Sequence, residues 1–559
     1  MTIMGPDQGP IGHFDVCVVG AGPIGLAFAM EAAETGARVL LVDAGNERSG
    51  KRYLPEPDGQ RTEIADLQRH APIDLTTRRG VGGTSWLWGG RCVAFEPIDF
   101  EERDYVPGSR WPISHADVAP WYPAAARHLD CGAPVFASAD PDWDGLSDVH
   151  MSNLERWSRR PKLGPRLGDR VLAHPLVTAL LDSRLIDIQF GPAGVVRGLV
   201  VERAGAALVI QAASYVLAMG GLEVTRFLLG QQRRRPGSFG GEDGPLGRFY
   251  MGHATGSIAD IVVDDPRRAA DLDFVRDEHD TYIRRRFTFT PEAQRRHRIL
   301  NTSFYLDNPD FFAPQHKNPT LSAVFLGIAI PPIGRAILAE GIRQRHVGPR
   351  PYRIGAHLGN ILRKPWQAAV DVFDILQKRY LSAVRKPGFL LRNDGGRYAL
   401  HYHGEQLPRS DSRITLRVDE SGTEVLHVDL RYTEADVDSL VRGHDLLDRE
   451  LRAARVGRLE YRAAGADAIR ASTWAQTTDG FHSIGTTRMS DDPREGIVDA
   501  NCRVHGTANL YIASTSVLTT SAEANPTFVG AALALRLAHH LAADARQISG
   551  EQVAVGADE

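Results

Sequence analysis

Two stretches of this chain hold residues whose types and spacing could do chemistry. The first is Gly20-Ala21-Gly22-Pro23-Ile24-Gly25, which follows the apolar run Phe14–Val19 and precedes Ala, Met and Glu residues of high helix propensity. Gly20 permits a tight turn, Gly22 lets backbone approach a pyrophosphate, and Gly25 lets the helix pack closely on the strand. The helix N-terminus, with Pro23 and Ile24, offers unpaired N–H groups and a partial positive charge to phosphates. Asp43 ends a second strand, "RVLLVDAG", eighteen residues beyond Gly25. An acid at that distance bonds a ribose hydroxyl and disfavours a 2′-phosphate, and Ala44 follows it along the same turn. The pattern specifies an ADP moiety and leaves FAD and NAD both open.

The second stretch is "GFHSIGTTRM", residues 480–489, where His482 stands among two glycines and three Ser/Thr hydroxyls. No periodic apolar face runs through it, so it reads as a loop. Between these ends lies "RGVGGTSWLWGGRCV", residues 79–93, with five glycines. Gly82 and Gly83 could run flat against a planar ring, with Thr84 and Ser85 as donors to its carbonyls and Trp88 and Gly89 closing the loop. A glycine-rich hairpin carrying core tryptophans explains the same residues equally well. "ASYVLAMGGLEVTRFLLG" repeats the grammar of strand, Gly220-Gly221 pair and helix. "NLYIAS" reads as a strand, and Asn525-Pro526-Thr527 opens a long Ala/Leu helix with Asn525 at the cap and Pro526 first.

These elements need a large scaffold. The 559 residues exceed one simple core and call for two domains, or one cofactor domain carrying an insertion. Hydrophobic residues at 43% and charged residues at 24% exclude a disordered chain. Lys+Arg 65 against Asp+Glu 69 leaves a net charge of −4, so the composition asks for neither nucleic acid nor an anionic membrane. Cys17, Cys92, Cys131 and Cys502 form no CxxC pair, which disfavours zinc and Cys-ligated iron–sulfur centres. No metal site is expected, and Cys17 reads as a small buried hydrophobe. No secretory or twin-arginine signal is present, and no apolar run reaches the ~18 residues of a membrane span. A cytoplasmic protein is expected.

Taken together, GAGPIG with Asp43, the GGTSWLWGG loop, "GRFYMGH" at 247–253 and everything after residue 480 resemble the glucose–methanol–choline (GMC) oxidoreductases. Within that family of FAD-dependent alcohol oxidases and dehydrogenases, the chain is most similar to the pyranose oxidase and glycoside 3-oxidase or 3-dehydrogenase branch. The resemblance implies an α/β fold: a Rossmann-type FAD-binding domain with an inserted α+β substrate domain. Residues 1–254, with insertions around 100–170, and 476–559 would form the FAD domain. Residues 255–475 would be mainly the substrate domain.

The same resemblance makes His482 the active-site histidine, in the pattern H-x-x-G-T, and Asn525 its partner. An imidazole suits removal of the hydroxyl proton as hydride leaves for flavin N5. Asn525 would orient the substrate oxygen. Leu185, Ser514, Pro526 and Thr527 join the cofactor contacts, the last two through the helix N-terminus that would face the flavin's pyrimidine edge. His505, in "RVHGT", reads as structural.

Three positions depart from relatives. Ser85 stands where pyranose 2-oxidases tether the flavin through histidine, so the FAD is expected to be non-covalent. Thr519 replaces a usual proline, and Ser514 a frequent acid. The implied reaction oxidises a secondary ring hydroxyl of a sugar or glycoside to a ketone. Electrons would pass to O2 or a small redox acceptor. A polyol or aminoglycoside-type alcohol, or a flavoprotein that does not oxidise, are the alternatives. Aromatic and polar groups of "ILNTSFYLDNPDFF" could meet a sugar. Residues 330–390 read as amphipathic helices forming a lid or a subunit interface, and the oligomeric state is open.

Overall fold

The computed structural model describes residues 2–3 and 13–555, apart from 142, 338–342, 344–345 and 394. Its first layer is a parallel sheet of six strands in the order Thr2–Ile3, Val177–Leu180, Val39–Val42, Phe14–Val19, Ala212–Leu217, Leu510–Ile512. Strands buried on both faces must be apolar at successive positions, and all four residues of Val39–Val42 are buried. The helix Pro23–Glu34 makes the crossover between the two central strands and packs on the C-terminal helix Thr527–Val555. Cys17 is fully buried among these strands, and burial pushes its thiol up. The fold class is therefore the Rossmann-like α/β arrangement that the glycine fingerprint requires.

The second layer is an antiparallel sheet in the order Gly457–Tyr461, His253–Val263, Arg397–Glu405, Thr302–Asp307, Phe287–Phe289, Val149–His150. The helix Glu434–Ala453 has a core of its own to cover. Its buried residues Val437, Leu440, His444, Leu447 and Leu451 recur at three- and four-residue spacing, and a Thr433/Asp436 capping box opens it. Each layer has a separate apolar core. The segment around 100–170 divides between them: Phe100 to Cys131 pack into the first, whereas Trp143, Val149 and Met151 pack into the second. The stretch "ILNTSFYLDNPDFF" supplies an inner strand of the antiparallel sheet, with Phe304 fully buried in its core.

A buried carboxyl lies where the layers meet. Asp99 is 1% exposed, accepts from Asn301 Nδ2 at 2.9 Å, and is pushed up to about 7 by burial and by the charge of Glu405. Because its folded pKa lies above the unfolded value near 4, stability is highest with the proton on and declines as pH rises through about 7. The melting midpoint of Asp99→Asn is therefore expected to lie furthest below wild type in acid, and the gap should narrow towards neutral pH. A gap that widens with pH would refute this.

Candidate active site

A cavity of about 840 Å³ opens where strand ends and helix N-termini of the parallel sheet converge. It lies near the top of the ~300–1,000 Å³ typical of cofactor sites. Gly20, Gly22, Pro23, Ile24, Asp43, Ala44, Gly83, Thr84, Leu185, Ser514, Pro526 and Thr527 line it, and so does His482. Gly20 has φ +113°, and a Cβ there would sit 2.4 Å from Ala218 O. At Gly25 a Cβ would meet Gly20 O at 1.9 Å, so Gly25 serves strand–helix packing and does not line the cavity.

The Asp43 carboxylate accepts from the backbone N–H of Ala21 at 2.6 Å and of Gly45 and Gly80 at 2.8 Å each. Burial pushes its pKa up, while those donors and Arg79 pull it down. Asp43 thus ties the fingerprint turn to the glycine-rich loop as well as lining the cavity. Asp43→Ala is expected to weaken FAD retention by roughly 1.5–3 kcal/mol, the range for a hydrogen bond to a charged group. Full FAD occupancy in that variant after dilution and desalting would contradict it.

The glycine-rich loop departs from expectation at several residues. Ser85 is fully buried, donating to Gly82 O at 2.6 Å and accepting from Leu163 N at 3.1 Å, so its hydroxyl is spent inside the protein. Trp88 donates its indole N–H to Pro161 O. Gly82 accommodates a left-handed turn at φ +96° against Gly164, and Gly89 is exposed. None of Gly82, Ser85, Trp88 and Gly89 lines the cavity; only Gly83 and Thr84 of this loop's expected contacts do. Gly83–Trp86 form a 3-10 turn, and the strand that follows, Arg91–Cys92, pairs with the distant Leu154–Trp157, so the loop is neither a hairpin nor a cavity wall along most of its length. The last helix begins at Thr527, which moves Pro526 to the cap position and leaves Asn525 one residue outside.

His482 lies on the loop expected for it. The loop is tied to the start of the antiparallel sheet, with Met251 N–H donating to Ile484 O at 3.0 Å and Ile484 N–H to Met251 O at 3.2 Å. His482 Nδ1 is 2.8 Å from Asp479 Oδ2. A carboxylate only accepts, so Nδ1 carries the proton and Nε2 presents its lone pair. Asn525 Nδ2 reaches that Nε2 at 3.0 Å, while Asn525 Oδ1 is buried without a hydrogen-bond partner. A buried orphan acceptor beside an imidazole lone pair marks a place for a ligand hydroxyl.

Burial works against the Asp479 charge, but His482 and His253 beside it hold its carboxyl well below the usual range. His253 Nδ1 lies 3.1 Å from His482 Nδ1, and its Nε2 donates to Ser521 O at 3.0 Å. His403 Nδ1 donates to Glu523 O at 2.7 Å. Burial lowers the pKa of both His253 and His403, which keeps these two imidazoles neutral. Arg286 forms a fully buried ion pair with Glu523. The antiparallel layer thus grips the segment Ser521–Asn525 through three side chains.

Asp479, His253, His403 and Arg286 escaped the sequence reading. An acid three residues before His482 on the same loop was a usable signal. His403 and Arg286 carried none, since each stands in an ordinary strand-like run. His505, donating to Ser490 O at 2.9 Å, is structural, as its position suggested.

The C-terminal portion, residues 408–534, matches the model of the GMC oxidoreductase family, and residues 18–68 match an NAD(P)-binding Rossmann-like domain. Among curated proteins, 6'''-hydroxyparomomycin C oxidase of Streptomyces lividus is 25% identical over 587 residues, 95% of this chain and 92% of the relative. The 2-methyl-1,2-propanediol dehydrogenase of Mycolicibacterium austroafricanum is 20% identical over 601 residues, 94% of this chain and 95% of its own. A fungal aryl-alcohol oxidase (13% identity, TM-score 0.52, 95% of this chain and 99% of that one) shares the fold. So does formate oxidase (15%, 0.52, 96% and 99%). Fold and site together define an FAD-dependent oxidoreductase that acts on alcohols. The chain is similar to the GMC oxidoreductase family over residues 408–534.

Proposed function

We propose that this enzyme oxidises a secondary ring hydroxyl of a sugar or glycoside to a ketone, with His482 as general base and Asn525 as the group that orients the hydroxyl. The observation that carries the reading is the set Asp479–His482–Asn525, of which His482 lines the cavity, with an imidazole lone pair and an orphan amide oxygen side by side. When bound, FAD supplies the two-electron acceptor for the carbon being oxidised. Gly20, Gly22, Asp43, Thr84, Ser514 and Thr527 would hold it, and Gly22 faces open space where a Cβ would meet nothing within 4 Å.

The chain's own residues handle the proton. His482 Nε2 takes it from the substrate hydroxyl, and the resulting imidazolium is stabilised by Asp479 across 2.8 Å. Asn525 turns its amide from His482 to the substrate oxygen, and its Oδ1 gains the partner it lacks. Buried neutral His253 and His403 add no competing positive charge. Supply of electrons onward to O2 or a small diffusible acceptor completes the cycle.

The aminoglycoside alternative has its own support, since the Streptomyces lividus relative acts on hydroxyparomomycin and aligns over nearly the whole chain. One experiment separates the readings. Glycosides, free sugars, an aminoglycoside, a 1,2-diol and an aryl alcohol are added anaerobically to the purified protein, and flavin bleaching and product are followed. Bleaching by glycosides with a ring ketone as product is expected. Bleaching by the aryl alcohol or diol alone would reject the sugar reading, and none by any alcohol would reject alcohol oxidation. FAD is also expected to stay in solution when the protein is precipitated by acid, because the loop that tethers flavin in relatives carries Ser85. Yellow colour remaining with the precipitate would disprove non-covalent binding.

A further inference from the structure

The segment after residue 353 turns the wrong face to water. The helix Ile354–Arg363 exposes Ile354, Leu358 and Leu362 at four-residue spacing, while its polar residues His357 and Asn360 are buried. His357 Nδ1 and Asn360 Nδ2 each lie 3.1 Å from Ser322 Oγ. The next helix, Pro365–Leu376, repeats the inversion: Trp366, Val370 and Phe373 point outward, and Asp371 bonds Thr320 Oγ1 at 2.7 Å on the inner side. Leu362 is 76% exposed, Trp366 80%, Phe373 65% and Leu381 77%. A surface helix of a soluble protein does the reverse. A contiguous apolar face of this kind marks an interaction surface.

Its charge identifies the partner. Between residues 353 and 385, six Lys/Arg stand against two Asp, in a chain whose net charge is −4. Both acids are engaged, Asp371 by Thr320 and Asp374 by Lys378 at 2.9 Å. Arg353, Arg363, Lys364 and Arg385 are exposed, and among the described residues no carboxylate pairs with them. Two copies docking through this face would bring like charges together. Trp, Phe and Leu on one face, bordered by Lys and Arg, are what an anionic lipid surface binds. No helix among the described residues is long and apolar enough to cross a membrane, so the contact is with one leaflet.

We propose that the two helices Ile354–Arg363 and Pro365–Leu376 dock the enzyme onto the surface of an anionic membrane, their apolar face in the headgroup region and the basic residues on the lipid phosphates. This role differs from the lid or subunit interface expected of residues 330–390, and the charge balance of the whole chain conceals a local site.

The test uses the full-length, FAD-loaded protein and vesicles of about 30% phosphatidylglycerol in phosphatidylcholine, with pure phosphatidylcholine as control. Wild type should co-sediment with the anionic vesicles, and binding should fall roughly tenfold in ~0.5 M NaCl, where screening is strong. The triple variant Leu362→Ser, Trp366→Ser, Phe373→Ser should lose binding at all salt concentrations while oxidising soluble alcohol at the wild-type rate. Arg363→Glu with Lys364→Glu should lose binding to the anionic vesicles. Wild type left in the supernatant overturns the proposal. So does a dimer in sedimentation equilibrium that the triple variant dissociates, which would assign the face to a second copy.

Discussion

Replacing His482 by alanine will leave the fold and the bound FAD in place and slow alcohol oxidation by roughly 10²–10⁴-fold, the usual worth of a positioned general base. His482 sits on a loop whose backbone is fixed by the Met251–Ile484 bonds, so truncating the ring leaves no apolar core cavity behind. The nucleotide end of the cavity is built from other segments: the Gly20–Gly25 turn, Asp43 and Thr84. The measurement is the rate of anaerobic flavin bleaching by substrate, with FAD content checked beforehand. Bleaching at the wild-type rate would leave His482 an ordinary loop residue.

Asp479→Asn should cost nearly as much, roughly 10²–10³-fold, although Asp479 does no chemistry itself. Its Oδ2 lies 2.8 Å from His482 Nδ1 and also accepts from the backbone N–H of His253 at 2.7 Å. An asparagine of the same shape can turn its NH2 towards Nδ1 and favour the tautomer with the proton on Nε2, which then cannot receive the substrate's proton. It also removes the negative charge that stabilises the imidazolium. The effect should fall on kcat with KM little changed, since the substrate contacts remain. A variant that raised KM and left kcat alone would show that Asp479 shapes binding and has no part in orienting the base.

The sequence by itself determined the parts that are local. The six-residue fingerprint, Asp43 and the flanking strand and helix are one continuous unit, and hydrophobic periodicity with glycine sterics is enough to read it. Gly25 behaves as its spacing demands, against Gly20 and Ala218. The loop state of His482 and the helix opening near Asn525 were legible for the same reason, and family resemblance joined them into a site. Where a stretch had two local solutions, the sequence could not choose. In the GGTSWLWGG loop, Ser85 could have faced a ring or its own turn, and only the backbone of Gly82 and Leu163 brought within reach of its hydroxyl decided for the turn.

Tertiary structure alone decided what surrounds the imidazole. His253 and His403 come from two strands of a different layer and Arg286 from the residue between Tyr282–Arg285 and Phe287–Phe289, all more than a hundred residues away in the chain from Ser521–Asn525. Nothing in their local pattern distinguishes them from other buried polar residues. Their effect depends on desolvation and on distances of about 3 Å, which exist only after the two layers dock. The inverted helices make the same point. Periodicity shows that a helix is amphipathic, but which face meets the protein is set by what the rest of the fold offers it. Here Ser322 and Thr320 offer hydrogen bonds to the polar side, and the apolar side is left facing outward.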